Sequence, residues 1–120
     1  MPPQSFAELL ERYGRGERDF AESELDEDPQ NDCSGMSLDG ADLSGAYIVA
    51  TFRGASLRSV RFVQANVKTC DFRDADLRDA DFSRAALCAT LFSGANLEGA
   101  RFGGATAHSY VFGDHEQPTW

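Results

Sequence analysis

An all-β solenoid with four sides is the fold class this sequence predicts. Three observations predict it. Apolar residues recur every five positions over most of the chain, glycines fall at one fixed place in that repeat, and the longest internal echo spans twenty residues.

The repeat is plain from Ala50 onward: Phe52, Leu57, Phe62, Val67, Phe72, Leu77, Phe82, Leu87, Phe92, Leu97, Phe102, Ala107 and Phe112. A small residue stands two positions before most of them, as at Ala55, Ala65, Cys70, Ala75 and Ala80, until Tyr110 breaks the size rule. The register also runs back through Leu38, Leu43 and Ile48, with one residue missing in the unit Ala46–Val49. A period of five suits no regular helix or flat strand, because it would send successive apolar side chains of the repeat to different faces. It suits a chain that turns a corner in every unit: three extended residues, the first and third inward, then two for the turn. Gly35, Gly40, Gly45, Gly54, Gly94, Gly99 and Gly104 stand last in their units, where a tight turn needs a permissive backbone. The four prolines lie outside the repeats, as a hydrogen-bonded ladder requires.

The number of sides follows from the longer echo. Phe52–Phe62 aligns with Phe72–Phe82 at a shift of twenty, better than at ten. Twenty residues make four sides. Phe52, Phe72, Phe92 and Phe112 are then expected in one column, and Phe62, Phe82 and Phe102 in the opposite one. Leu57, Leu77 and Leu97 fill a third, and Val67, Leu87 and Ala107 the fourth. Together with Leu38, Leu43 and Ile48 these form the predicted core.

The units Ala41-Asp42-Leu43-Ser44-Gly45, Ala75-Asp76-Leu77-Arg78-Asp79 and Ala95-Asn96-Leu97-Glu98-Gly99 resemble the A-[DN]-L-x-x signature of pentapeptide repeat proteins. The resemblance covers residues 33–112, and it implies a right-handed quadrilateral parallel β-helix, here of about four coils. An open β-helix exposes strand edges at both ends and needs caps. Residues 1–17 are expected to supply one. Ser5 and Glu8 have capping-box spacing, Phe6, Leu9, Leu10 and Tyr13 share one helix face, and Gly14 is the expected stop. Residues 18–32 are read as the start of the first coil at Phe20 and Leu25, followed by an acidic interrupting loop. The tail, residues 113–120, has no helical period. It either folds over the last coil with Trp120 as a lid or stays loose.

Charge limits the function. The chain carries 11 Lys and Arg against 20 Asp and Glu, a net charge of -9, which opposes non-specific binding to nucleic acid or anionic membrane. That charge is uneven. Residues 1–32 hold ten acids and three bases, residues 33–112 hold eight of each, and the tail adds Asp114 and Glu116. Within the repeats, Arg53, Arg58, Arg61 and Lys68 form a basic coil beside an acidic one carrying Asp71, Asp74, Asp76, Asp79 and Asp81; surface ion pairs are expected between them. No basic stretch followed by an apolar core opens the chain and no apolar run approaches a membrane span, so a cytoplasmic location is expected.

Candidate chemistry is sparse. Cys33, Cys70 and Cys88 are spaced as neither a disulfide framework nor a zinc site, so no metal or cofactor is expected. Lys68, Cys88 and His108 share one outward position on successive coils, which suggests at most a reactive thiol on a flat wall. No catalytic residue is assigned, and the chain is read as a non-enzyme. Two surfaces are candidates for binding an unidentified protein partner: the acidic group Glu22, Glu24, Asp26, Glu27 and Asp28, and the outward pair Leu91 and Val111, expected to stack near the C-terminal end and to serve a homodimer through the terminal coil. The alternative function, implied by the resemblance and the acidity, is DNA mimicry: binding of gyrase and protection from fluoroquinolones. The neutral rod and the basic coil count against it.

Overall fold

From Phe52 to Ala105 every corner of the solenoid is closed by one backbone hydrogen bond. The N–H of Ala55 donates to the carbonyl of Phe52 at 3.0 Å, and the same three-residue step recurs from Leu57 to Val60, Phe62 to Ala65, and on to Phe102 and Ala105. The third residue of each such turn has positive φ, as type II geometry demands. Glycine supplies it at Gly54 (φ 66°), but Ser59, Gln64, Thr69, Asp74, Asp79, Arg84 and Ala89 adopt it too. Coil-to-coil ladders therefore hold seven consecutive corners in a conformation that L-residues resist.

The computed structural model describes residues 1–26 and 31–120, so the predicted contact residues Glu27 and Asp28 lie outside the described residues. Parallel bridges join each side to the one above it. They run Asp42–Arg61–Asp81–Arg101, Ser37–Ser56–Asp76–Asn96, Asp32–Thr51–Asp71–Leu91, and Tyr47–Asn66–Ala86–Thr106. Four sides follow from four such series. The step is nineteen residues where the path crosses Ala46–Val49 and twenty above it. Strand β1 (Glu24–Leu25) pairs in parallel with β2 (Tyr47–Ile48), which seats Leu25 under Ile48. The side chain of Asn31 closes the shortened corner by donating to the carbonyls of Leu25 and Val49, both at 3.2 Å.

Inside, the phenylalanines form two facing stacks. Phe52 and Phe72 lie 5.3 Å apart with planes 5° from parallel, and Phe72 and Phe92 repeat this at 5.3 Å and 11°. Phe62, Phe82 and Phe102 stack at 4.7 and 4.9 Å. Rings of one stack meet the other edge to face, as Phe72 meets Phe82 at 5.5 Å and 83°. Leu38, Leu43, Ile48, Leu57, Val67, Leu77 and Leu87 are fully buried between them. The exception is Leu97, which is only half-buried because no coil covers it. Ser23 and Thr90, the buried polar residues in small positions, each turn a hydroxyl onto the carbonyl of their own corner, Phe20 and Leu87, at 2.6 Å.

Helix α1 (Phe6–Gly14) lies against the N-terminal end of this core. Ser5 caps it, its hydroxyl accepting the N–H of Glu8 at 3.1 Å. The Glu8 carboxylate returns to the N–H of Gln4, one residue earlier than a strict capping box. Phe6 meets Phe52 edge to face at 6.0 Å, and Leu9 is fully buried. The helix ends at Gly14, and the reversal follows two residues later. Gly16 (φ 96°) makes the reversal, with Gly16 N–H on the Tyr13 carbonyl and Glu17 N–H on that of Arg12, a Schellman pairing. Tyr13 then bonds the carbonyl of Asp39 at 2.8 Å and ties the helix to the coil.

The C-terminal end departs from the expected columns. After Ala107 the chain reverses: strand β3 (Thr106–Ala107) pairs antiparallel with β4 (Tyr110–Val111), with His108 at φ 58° in the turn. Phe112 is buried, but not above Phe92. It packs 6.1 Å from Phe102 and 5.8 Å from Trp120. Val111 pairs with Thr106 and so does not stack on Leu91. Tyr110 explains the reversal: a ring in the small-residue position does not fit an inward corner, and it stays exposed. The tail takes the lid form. It crosses the last coil, with Gln117 donating to the carbonyls of Leu97 and Ala100, Pro118 buried, and Trp120 over Phe92 at 6.4 Å. The whole measures 35 × 23 × 23 Å.

Candidate functional site

The hairpin and tail build a cleft that no single stretch of sequence contains. Leu87, Ala89, Thr90 and Leu91 come from the corner and wall of the last coils, Ala107, His108 and Tyr110 from the hairpin, and Trp120 from the lid. The cleft holds about 380 Å³ and its walls are mainly apolar. Trp120 is fixed there by its indole N–H, which donates to the carbonyl of Thr90 at 2.7 Å. Leu91, Tyr110, Val111 and Trp120 remain exposed around it at 41%, 51%, 59% and 39%. Large apolar side chains left in water are thus clustered on one end of this small protein. Leu91 and Val111 belong to this surface through the hairpin and not through a shared column. Tyr110 and Trp120 are the members that the repeat pattern does not assign; the break in the size rule at Tyr110 is the signal that finds the first.

The wall carrying this cleft is poor in charge. Its outward residues from the base are Tyr47, Asn66, Lys68, Ala86, Cys88, Thr106 and His108. The adjoining walls carry the ions. Arg73 grips Asp71 and Arg78 grips Asp76, each pair at 2.7 Å within one unit. Contacts between coils are longer: Arg58 to Asp76 at 4.0 Å, Arg53 to Asp74 at 3.9 Å, Arg58 to Asp39 at 3.4 Å and Arg101 to Asp81 at 3.1 Å. The tightest ion pairs are therefore local, and the basic coil bonds its acidic neighbour more loosely. The guanidinium of Arg73 lowers the pKa of Asp71 through hydrogen bonds, and Arg78 does the same for Asp76.

The three thiols are free and differ in setting. Burial pushes Cys33 and Cys70 up to about 12, so both stay protonated. Cys88 is half-exposed, and its sulfur accepts the backbone N–H of His108 at 3.1 Å. The alignment of Cys88 with His108 thus brings a backbone amide, not an imidazole, to the sulfur. Among the described residues no cluster of His, Cys, Asp and Glu could hold a metal ion.

At the other end, Glu22, Glu24 and Asp26 line an open cleft of about 480 Å³ with Met1, Pro2, Pro3 and Gln4. The Glu22 carboxylate lies directly against Gly45 of the next coil. No helix among the described residues is long and apolar enough to cross a membrane.

Comparison with known proteins agrees with this architecture. The family model for pentapeptide repeats matches residues 50–74 and 70–106 with eight copies. The crystal structure of alr5209, a pentapeptide repeat protein from Nostoc PCC 7120, is 33% identical and superposes with a TM-score of 0.66, covering 98% of this chain and 93% of that one. Rfr23, a pentapeptide repeat protein from the cyanobacterium Cyanothece 51142, gives 0.69 at 20% identity over 74% of this chain. The plasmid-mediated fluoroquinolone resistance protein QnrB1 gives 0.65 at 20% identity over 72%. The matches span only 59% of Rfr23 and 45% of QnrB1, and at that identity they speak for the fold alone. No curated protein matches the chain.

Proposed function

Because the chain belongs to the pentapeptide repeat family, whose members form right-handed quadrilateral β-helices, we propose that it is a non-enzymatic interaction module that docks a protein partner at its C-terminal end. We read it as a rod of about four coils, closed at one end by α1 and at the other by the hairpin and tail. The observation that carries this reading is the apolar cleft ringed by exposed Leu91, Tyr110, Val111 and Trp120. Charged residues are depleted at the cores of protein interfaces and aromatic ones are enriched, and this end has both properties. A second copy of the chain is one partner such a surface suits. The acidic group at Glu22, Glu24 and Asp26 is a poorer candidate, being open and without an exposed aromatic side chain. Three free thiols fit a reducing, cytoplasmic setting. DNA mimicry toward gyrase is not favoured: Arg53, Arg58, Arg61 and Lys68 interrupt the negative surface, and likeness to QnrB1 extends to fold only.

The test is a pair of charge insertions, Leu91→Asp and Val111→Asp, on exposed positions that leave the phenylalanine stacks intact. Chemical crosslinking in native extract, followed by identification of the adducts, should yield one saturable partner or a dimer with the parent protein and neither with the double variant. Identical adducts from both proteins would overturn the assignment of this end.

A further inference from the structure

Among the described residues, the lid leaves one wall of the last coil with every upward-facing ladder group unpaired, besides the single N–H groups of Gly94 and Phe102 on its neighbours. In the coils below, each wall sends two N–H groups and one carbonyl upward. Leu77 donates to the carbonyl of Asn96 and Asp79 to that of Glu98, while the carbonyl of Ala75 accepts from Asn96, all at 2.9 Å. On the last coil the corresponding groups are the N–H of Leu97 and Gly99 and the carbonyl of Ala95. Trp120 and Phe112 satisfy the N–H groups of Phe92 and Gly104, and Gln117 takes the carbonyls of Leu97 and Ala100. Among the described residues nothing pairs with Leu97 N–H, Gly99 N–H or the Ala95 carbonyl. Ala95 and Leu97 are also half-buried, whereas Ala75 and Leu77 one coil down are 1% and 0% exposed. Both the polar edge and the apolar layer beneath it are unfinished at the same place.

We infer that the edge formed by Ala95, Leu97 and Gly99 receives an extended segment of a partner protein, added in parallel as a further strand. Edge strands with free ladder groups are templates for such pairing. The geometry sets what fits. Gly99 (φ 74°) bends the edge, so the two N–H groups face carbonyls two residues apart on a segment that bends with it. Between those carbonyls an apolar side chain rests on Leu97. Two acidic groups lie at the C-terminal side of the edge: Glu98 is exposed on the wall, and the Asp79 carboxylate lies against Gly99. Arg78, the nearby cation on the same wall, is engaged by Asp76. The complementary segment therefore carries a basic residue directly after its apolar one. A second copy docked about a two-fold axis would run antiparallel and would bring Glu98 against Glu98, which disfavours that occupant.

The experiment uses the full chain, labelled with nitrogen-15, and an acetylated, amidated peptide Ala-Arg-Leu-Lys-Gly-Ala. Titration to concentrations on the order of 1 mM should move the amide signals of Leu97 and Gly99 saturably and slow their hydrogen exchange about tenfold, leaving Phe92 and Gly104 unchanged. The peptide Ala-Asp-Leu-Asp-Gly-Ala should do neither, and Leu97→Arg should abolish the response. Equal response to both peptides, no response to either, or movement confined to Leu91 and Trp120 would overturn the inference. Protection of Leu97 and Gly99 that rises with protein concentration alone, with a doubled mass in light scattering, would also overturn it by making a second copy the occupant.

Discussion

The carbonyl of Trp120 accepts the N–H of Phe92 at 2.9 Å, in the place that a further coil would fill. The same residue caps the aromatic stack with its ring and bonds Thr90 with its indole. One residue thus closes the ladder, the stack and a corner. Trp120→Ala should lower stability by about 2 kcal/mol, less than a fully buried Trp because the ring is partly exposed. Urea unfolding measures it, and an unchanged midpoint would show that the lid does not bear on stability.

The middle of the stack should be far less tolerant. Phe72 contacts Phe52, Phe62, Phe82 and Phe92 and is fully buried. Phe72→Ala is expected to cost about 3–5 kcal/mol, and Phe72→Leu distinctly less, because the cavity shrinks. The ordering of the two midpoints is the check.

Corner strain gives a prediction of opposite sign. Ala89 holds φ 60° with an exposed methyl that makes no compensating bond. Ala89→Gly should stabilise by about 0.5–1 kcal/mol, the relief of left-handed strain less the added freedom of the unfolded chain. Gly54→Ala meets no steric neighbour, so its loss of about 1 kcal/mol should report backbone conformation alone.

Acid should act through the local Arg–Asp pairs. Folding lowers the pKa of Asp71 and Asp76, so both contribute stability above the unfolded carboxylate value of about 3.9. That contribution is lost as pH falls through their lower folded values. Unfolding midpoints should therefore hold steady from about pH 7 to pH 5 and fall below about pH 4, and the fall should be shallower in Asp71→Asn/Asp76→Asn.

Thiol chemistry separates the cysteines. A disulfide reagent at mildly alkaline pH should modify Cys88 quickly and leave Cys33 and Cys70 untouched until denaturant is added, since both are buried and held protonated. Three rapidly reacting thiols in the native protein would contradict the packing of both inner columns.

The solenoid was legible because its inward positions obey a period that no other element supports. Phe52, Leu57 and Phe62, five apart, exclude a helix and a flat strand, and the twenty-residue echo counts the sides. The terminal hairpin was not legible, because Phe112 keeps the five-residue register after the chain has turned back. Periodicity records spacing along the chain, and only the bulk of Tyr110 betrays the reversal. The helix end was legible in part: the helix closes at Gly14 as its type suggests, but the left-handed reversal falls at Gly16, which the carbonyls of Arg12 and Tyr13 decide. The cleft drew on three separated stretches, 87–91, 107–110 and 120, which become neighbours only through the hairpin and lid.

The shortened unit Ala46–Val49 has a consequence for how the chain finds its fold. A perfectly periodic sequence is translationally degenerate: sliding it by one whole coil restores every contact except those at the ends, and such slipped forms become kinetic traps. One missing residue, with Asn31 bridging Leu25 and Val49 at that corner, breaks the degeneracy. A slipped chain would meet a nineteen-residue step where its neighbours demand twenty and would turn a wall's inward residues out to water. The defect works as a phase marker that gives the rod a single alignment.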